Sequence, residues 1–336
     1  MRKLTDQEKL AYHSYVHNPT DSNAAFYELS KMINGTRGIS TGSPILDSFN
    51  IPTRPGWIRY WLARPGEGKS TMLRTLAMVE ARYLVANNLT DKYYVAHVTW
   101  EEAIDSQELY YQQGRRYSNE DFWRGKVTER EVIAGGMTRP LLPIYFIGES
   151  MMKLNIDSPK MTIDKVIDAL RAIYLTEEKT PSVIIIDYVQ EILVDLPNES
   201  KRTAQVIQAV RDVIDLARRL KAPIEMGVQA NQLSLELNPP IPTARHVEYS
   251  FFTHQKATNG LALWRPWVTE KDKPKMKMMD PTINVGGAEV PFSPNLMVAK
   301  PLKHRPGLLR MMMPFELYPD TLEIKDIESW AKERLQ

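Results

Sequence analysis

The sequence predicts an α/β fold, a twisted and mainly parallel β-sheet flanked by helices. Three observations carry this. "WLARPGEGKSTM", residues 61–72, sets a glycine-rich turn between a strand-like and a helix-like run. "PSVIIIDYVQEI", residues 181–192, is a continuous apolar run closed by an acid, the pattern of a central parallel strand buried on both faces. Strand-like and helix-like stretches alternate through most of the 336 residues.

The first strand is "PGWIRYWLA", rich in aromatic and β-branched residues. The helix after the turn carries Met72, Leu73, Leu76, Met78, Val79 and Tyr83 at helical spacing. The turn, from Arg64 through Pro65, Gly66, Glu67 and Gly68 to Lys69, Ser70 and Thr71, is therefore the expected phosphate-binding stretch for ATP. Gly66 and Gly68 allow backbone conformations that point N–H groups inward. The helix N-terminus adds partial positive charge where phosphates would lie. Lys69 can reach the β- and γ-phosphates, and the Ser70 hydroxyl can ligate Mg²⁺. Ala63 stands where the usual motif starts with Gly.

A second strand, Val183 to Ile186, ends on Asp187. Ligands of open α/β sheets bind at such C-terminal strand ends, so Asp187 is expected to hold the Mg²⁺ shell through water. A third, "YYVAHVTWEEA", ends in Glu101 and Glu102. A carboxylate there can orient and deprotonate the water attacking the γ-phosphate. Adjacent strand residues face opposite ways, so one of the two is expected to point inward. A fourth, "APIEMGVQANQ", ends near Gln229, whose amide can sense the γ-phosphate. Later strands are expected around 259–264, 296–300 and 308–313. The tail after Pro319 reads as a short helix, with Ile324, Ile327, Trp330 and Leu335 in an irregular apolar stripe.

Composition narrows the function. Apolar residues are 43% and charged residues 25% of the chain, ordinary for a globular protein with a sizeable core. The 43 basic and 41 acidic residues give a net charge of +2, so any basic surface for nucleic acid must be local. Cysteine is absent, which excludes disulfides, thiolate metal sites and cysteine nucleophiles. No apolar run reaches the roughly 18 residues of a membrane span, and "MRKLTDQEKLAYHSY" lacks a signal peptide's apolar stretch. A cytoplasmic location is the default expectation.

Taken in order, these pieces resemble the C-terminal RecA-like ATPase domain of DnaB-type replicative helicases. The resemblance starts at "RGISTGSPILDSFN" and includes the Ala-initiated loop, "DYVQ" at Asp187–Gln190, and the helices "MTIDKVIDALRAIY" and "TAQVIQAVRDVIDLARRLKAPI". "VQANQ", "LALWRP" and "VAKPLKHRPG" continue it to about residue 315. It implies a P-loop NTPase that uses ATP and Mg²⁺ and assembles as a homo-oligomeric ring, a hexamer. Such a ring grips single-stranded DNA and works with a loader, primase or other replication protein. It implies Glu101 as the water-orienting carboxylate, and Lys303 and Arg305 as a finger reaching the γ-phosphate of the neighbouring subunit. The loop "VDLPNESKRTA" places Lys201 and Arg202 where the family contacts DNA; as an alternative, both simply begin a helix in solvent.

The departures are specific. About 36 residues precede the core, where the family has a longer helical domain. They include "AAFYELSKMI", which resembles the helix that docks on the next subunit. The double glutamate of "VTWEE" is that of the KaiC-like branch. "ARHVEYSFFTHQKAT" is a degraded form of a family segment, and residues 269–295 read as an insertion forming a solvated, lysine-bearing hairpin. The expected organisation is a linker segment 1–36, an ATPase domain 37–315 and a helical tail 316–336. Two functions follow: an ATP-driven helicase or translocase on single-stranded DNA, or a RecA/KaiC-like switch whose nucleotide state governs assembly without unwinding.

Overall fold

The structure, a computed structural model, describes residues 37–49, 52–103, 124–131, 142–149, 161–194, 202–249, 251–270, 281–304 and 311–328, with Thr5, Asp121 and Trp330. The chain divides into two units, Met1–Gly38 and Ile39–Gln336. All the elements named here lie in the second; the helix expected at "AAFYELSKMI" lies outside the described residues. In chain order the elements are α1 (Pro44–Phe49), β1 (Ile58–Ala63), α2 (Lys69–Ala86), β2 (Tyr93–Thr99), β3 (Ile144–Ile147), α3 (Ile163–Glu177), β4 (Thr180–Asp187), α4 (Arg202–Leu220) and β5 (Ile224–Gln229). Then follow α5 (Phe252–Lys256), β6 (Asn259–Trp264), α6 (Pro266–Glu270), β7 (Thr282–Val285), β8 (Ala288–Pro291), β9 (Leu296–His304), β10 (Met313–Tyr318) and β11 (Glu323–Asp326).

Among the described residues, nine strands form one sheet in the order β11-β10-β9-β6-β1-β5-β4-β2-β3. From β6 to β3 neighbours run parallel; β9, β10 and β11 complete it antiparallel. Alternation along the strands builds two cores. Trp61, Ala63, Val95, Val183 and Ile185 face α2. Tyr60, Leu62, Ala96, Ile184 and Ile186 face α3 and α4. α4 buries Val206, Ala209, Val210, Val213, Leu216 and Ala217, the i, i+3, i+4, i+7 spacing of a helix with one apolar face. α3 does the same with Ile163, Val166 and Leu170. Among the described residues, no helix is long and apolar enough to cross a membrane.

The entry segment has a clear physical role. Asp47 accepts hydrogen bonds from the Thr41 N–H and hydroxyl, both at 2.8 Å. Gly42 sits at φ 86° with the Val79 side chain 2.8 Å from where a Cβ would be, so both conformation and space require glycine there. Asp326 of β11 accepts from the Ser43 hydroxyl and, at 3.1 Å, from the Ile45 N–H, which ties the last strand to α1.

Three expectations change. The late strand expected at 308–313 is β10, Met313–Tyr318, reached after Met311 and Met312; residues 308–310 lie outside the described residues. The tail does not begin as a helix. It turns back at residues 319–322 and pairs β11 against β10, and Glu323 to Asp326 alternate between exposed and half-buried with the period of a strand. Ile324, Ile327 and the buried Trp330 pack on the α2-side core of their own chain, and Leu335 lies outside the described residues. The inserted hairpin exists as β7 and β8, turning on Gly286 and Gly287 at φ 63° and 92°, the two positive values of a type I′ turn. It is half-buried rather than solvated: Val285, Ala288 and Val290 enter the core. The lysines at 271–277 lie outside the described residues.

An ion pair between β1 and β5 is fully internal. Arg59 of β1 and Glu225 of β5 are register partners, both with 0% side-chain exposure, and meet at 2.8 Å. The Trp61 indole N–H donates to the same carboxylate oxygen at 2.8 Å. Arg59 Nη1 and Nη2 and Glu225 Oε1 have no hydrogen-bond partner among the described residues. Breaking such a pair strands a charge in low dielectric, whereas replacing both members restores an apolar core. Glu225→Ala is therefore expected to lower unfolding stability by about 3–5 kcal/mol. Combining Arg59→Met with Glu225→Leu should recover most of that loss in the denaturant midpoint.

Candidate nucleotide-binding site

The strand order brings the sequence-distant motifs together. β5 lies between β1 and β4, and β4 lies beside β2. Ala63 pairs with Gln229, and Thr99 with Asp187, so the chain leaves four parallel strands on one edge of the sheet. There a cavity of about 260 Å³ is lined by Arg64, Pro65, Gly66, Gly68, Lys69, Ser70, Thr71, Glu101, Gln229 and Arg265.

The loop after β1 takes its shape from two glycines. Gly66 and Gly68 lie at φ 77° and 83°, left-handed conformations that other residues adopt at a cost, and α2 starts directly afterwards at Lys69. Two of the expected phosphate-binding side chains turn into the protein instead. The buried Arg64 guanidinium bonds the Glu67 carboxylate, the Ser234 hydroxyl at 3.0 Å and the Pro240 carbonyl at 2.7 Å. Burial pushes the Glu67 carboxyl up to about 7, against the pull of Arg64. At these two positions any anion meets the backbone. The two side chains bond each other beneath the loop, which leaves Lys69 as the loop's cavity-facing basic residue.

Lys69 is only 9% exposed. Its ammonium lies 3.4 Å from the centroid of the Tyr188 ring, a cation–π contact. Burial lowers its pKa, and Asp187, Glu101, Glu191 and Glu248 oppose that shift. The lysine stem crosses β5 at Gly227, where an added Cβ would come within 3.1 Å of both Lys69 Cδ and Leu73 Cδ1. Gly227 thus provides the space through which Lys69 reaches the site.

Asp187, 2% exposed, closes β4. Its Oδ1 has no hydrogen-bond partner among the described residues. A buried acceptor left unsatisfied costs about 1–3 kcal/mol. A hydrated Mg²⁺ would supply the missing donor through its water. With Ser70 lining the cavity, the residues present fit that ion.

The two glutamates after β2 are separated by a partner rather than by strand alternation. β2 ends at Thr99, so Glu101 and Glu102 lie beyond the pleat. Glu102 pairs with Arg74 of α2 at 3.0 Å. Glu101 lines the cavity; partial burial, and then the charge of Asp187, raise its carboxyl pKa. Gln229 also lines the cavity, and its backbone is clasped by the Gln190 side chain: Gln190 Nε2 donates to the Gln229 carbonyl at 3.2 Å, and the Gln229 N–H donates to Gln190 Oε1 at 3.1 Å.

Two other expected residues, Lys303 and Arg202, do not line the cavity. Lys303 donates to the His254 and Gln255 carbonyls at 2.6 and 2.7 Å, near the end of α5. Arg202 opens α4 and bonds the Gln190 carbonyl and, at 3.2 Å, Gln205 Oε1. Lys201 and Arg305 lie outside the described residues. Residues that sequence reasoning left out of the site are Arg265, Tyr188, Gln190 and Gly227. Arg265 ends the strand-like run "LALWR", and Tyr188 and Gln190 belong to "DYVQ", so their positions were marked without their roles. Gly227 carried no signal, since its role depends on a side chain arriving from another element.

No family model and no curated protein matches the chain. Solved structures do. The ATPase domain of one DnaB-like helicase superposes with a TM-score of 0.67 at 15% identity, over 93% of this chain and 99% of that one. A second DnaB-like replicative helicase, solved in a study of its interactions with primase, superposes with a TM-score of 0.65 at 16% identity, over 96% of this chain and 71% of that one. The nine-stranded sheet, with its glycine loop at the end of β1, has the RecA-like fold of DnaB-type helicase ATPase domains.

Proposed function

We propose that this chain is a Mg²⁺-dependent ATPase that works as a subunit of a homo-oligomeric ring, a hexamer by resemblance, moving along single-stranded DNA. The observation that carries the ATPase reading is the convergence of Lys69, Glu101 and Gln229 on one cavity beside the unsatisfied Asp187. In this reading the amides around Gly66, Gly68 and Lys69 bind the phosphates, and the first turn of α2 adds its dipole. Lys69 leaves the Tyr188 ring for the β- and γ-phosphate oxygens. Ser70 and Asp187 would hold Mg²⁺, which supplies charge neutralisation when bound. Glu101, which is not held by Arg74 as its neighbour is, takes a proton from the attacking water. Gln229 reports the γ-phosphate.

Lys303 and Arg305 complete the site from the next subunit, as the resemblance implies. Residues 37–315 carry the ATPase, residues 1–36 dock the subunits together, and residues 316–336 extend the domain. The likeness to a helicase studied with primase supports a replication partner of that kind. The alternative, a nucleotide-controlled assembly switch without unwinding, has one observation in its favour. Arg202, expected at the DNA, spends its guanidinium on its own chain.

Lys69→Ala should abolish Mg²⁺-dependent hydrolysis, since Arg64, the loop's other cation, is turned into the protein. Normal turnover in that variant, read by phosphate release, would sink the reading of the cavity. Glu101→Gln should keep nucleotide affinity and cut kcat by roughly 10²-fold or more, the size of a general-base effect, while Glu102→Gln stays near wild type. Because a base works deprotonated, kcat should rise with pH through an acidic limb placed above the ordinary glutamate range, and that limb should vanish in Glu101→Gln.

Assembly is tested separately. Specific activity should rise with protein concentration, and Arg305→Ala should bind ATP yet hydrolyse it poorly. Mixing Arg305→Ala with Lys69→Ala should restore part of the activity, because some interfaces then join an intact loop to an intact finger. A dead mixture, with activity independent of concentration, would mean that the site is complete within one chain.

A further inference from the structure

β4 and β5 separate before they reach the cavity. Their ladder runs only from Ile184–Ile224 to Ile186–Met226, short of Asp187 and Gln229. The side chain of Gln190 spans that gap. Gln190 is 2% exposed and sits in the 3-10 turn Val189–Glu191 that follows Asp187 and Tyr188. Its amide uses both ends on one residue, donating to the Gln229 carbonyl at 3.2 Å and accepting from the Gln229 N–H at 3.1 Å. This copies one rung of a β-ladder with a side chain.

The same turn is held from its other side. The Gln190 carbonyl accepts the Arg202 guanidinium. Arg202 also lies 3.5 Å from the Glu191 carboxylate, which accepts the Tyr188 hydroxyl at 3.1 Å. The Tyr188 ring in turn carries the Lys69 ammonium. Two routes therefore lead from cavity-lining groups, Gln229 and Lys69, to one guanidinium at the first residue of α4.

We propose that Gln190 and Arg202 are positioning residues that link the γ-phosphate-facing Gln229 to the first turn of α4. The link rests on the reading of the cavity as an ATP site. A γ-phosphate that draws the Gln229 amide shifts the strand end to which Gln190 is clasped. Lys69, leaving Tyr188 for phosphate, releases the second route at the same moment. Both changes converge on Arg202, whose role is then to transmit the nucleotide state and not to contact DNA phosphate. A side-chain rung suits this task better than backbone pairing, because it can shift without dismantling the sheet.

Hydrogen exchange on the full chain tests it, following the peptide that covers residues 202–210 with Mg²⁺-ADP and with a non-hydrolysable Mg²⁺-ATP analogue. In the wild type, exchange there should differ between the two nucleotides by roughly 5-fold or more, the lower end of ordinary coupling between sites. Gln190→Met keeps the side-chain length and loses the amide; Arg202→Gln removes the clamp at a half-exposed position. Both should bind the analogue as the wild type does and lose the difference. Should Gln190→Met fail to fold, Arg202→Gln decides alone. Binding of both nucleotides without any wild-type difference overturns the link alone, as does a difference that survives in both variants. Arg202→Gln that keeps the difference but binds oligo-dT more weakly, with a shallower salt dependence, makes Arg202 a DNA contact. Failure of the wild type to bind either nucleotide overturns the reading of the cavity itself.

Discussion

The site is organised around a buried ammonium. Lys69 lies almost out of water, where an isolated charge is costly. Its surroundings compensate in a graded way. The Tyr188 ring face meets it directly, and the carboxylates of Asp187, Glu101, Glu191 and Glu248 support its charge from further off. Gly227 gives the stem its passage across β5. None of these contacts matches a phosphate, which would bring full charges and hydrogen-bond acceptors to the same ammonium. Burial still pulls the Lys69 pKa down against those carboxylates, and the direct contact is an aromatic face rather than an ion pair.

The remaining charges near the loop are kept from competing. Arg64 and Glu67 hold each other in the interior, and Arg74 holds Glu102. Lys69, Glu101 and Gln229 bring one basic group, one carboxylate and one neutral amide to the cavity, and Arg265, which also lines it, donates its guanidinium to the Pro294 carbonyl.

The two ladders of β5 differ in extent. With β1 it pairs along its whole length, from Ile58–Ile224 to Ala63–Gln229, and the internal Arg59–Glu225 contact lies within that ladder. With β4 it pairs over only three positions. The loop and Gln229 thus share a continuous hydrogen-bonded base, while the Asp187 side is joined to them through side chains. Local stability follows the density of such bonds, and between β5 and β4, where Gln190 sits, that density is lower than between β5 and β1.

Much of this was legible in the chain. The parallel strands, the loop between β1 and α2, the acid that closes β4 and the helices α3 and α4 follow from apolar periodicity and turn chemistry, which act between residues close in sequence. The glycine loop needs only two glycines and a lysine in local order, and so the sequence alone determined it. The tail was misread because the four residues of β11 are too few to outweigh an irregular stripe, and their pairing with β10 is a tertiary fact. Which glutamate is left to the cavity was decided by Arg74, a residue of another element. Strand order, the inward turn of Arg64 and Glu67, the passage at Gly227 and the Gln190 rung all depend on groups that chain-local rules do not connect. Only packing brings those groups within hydrogen-bond distance, so only the tertiary structure could decide them.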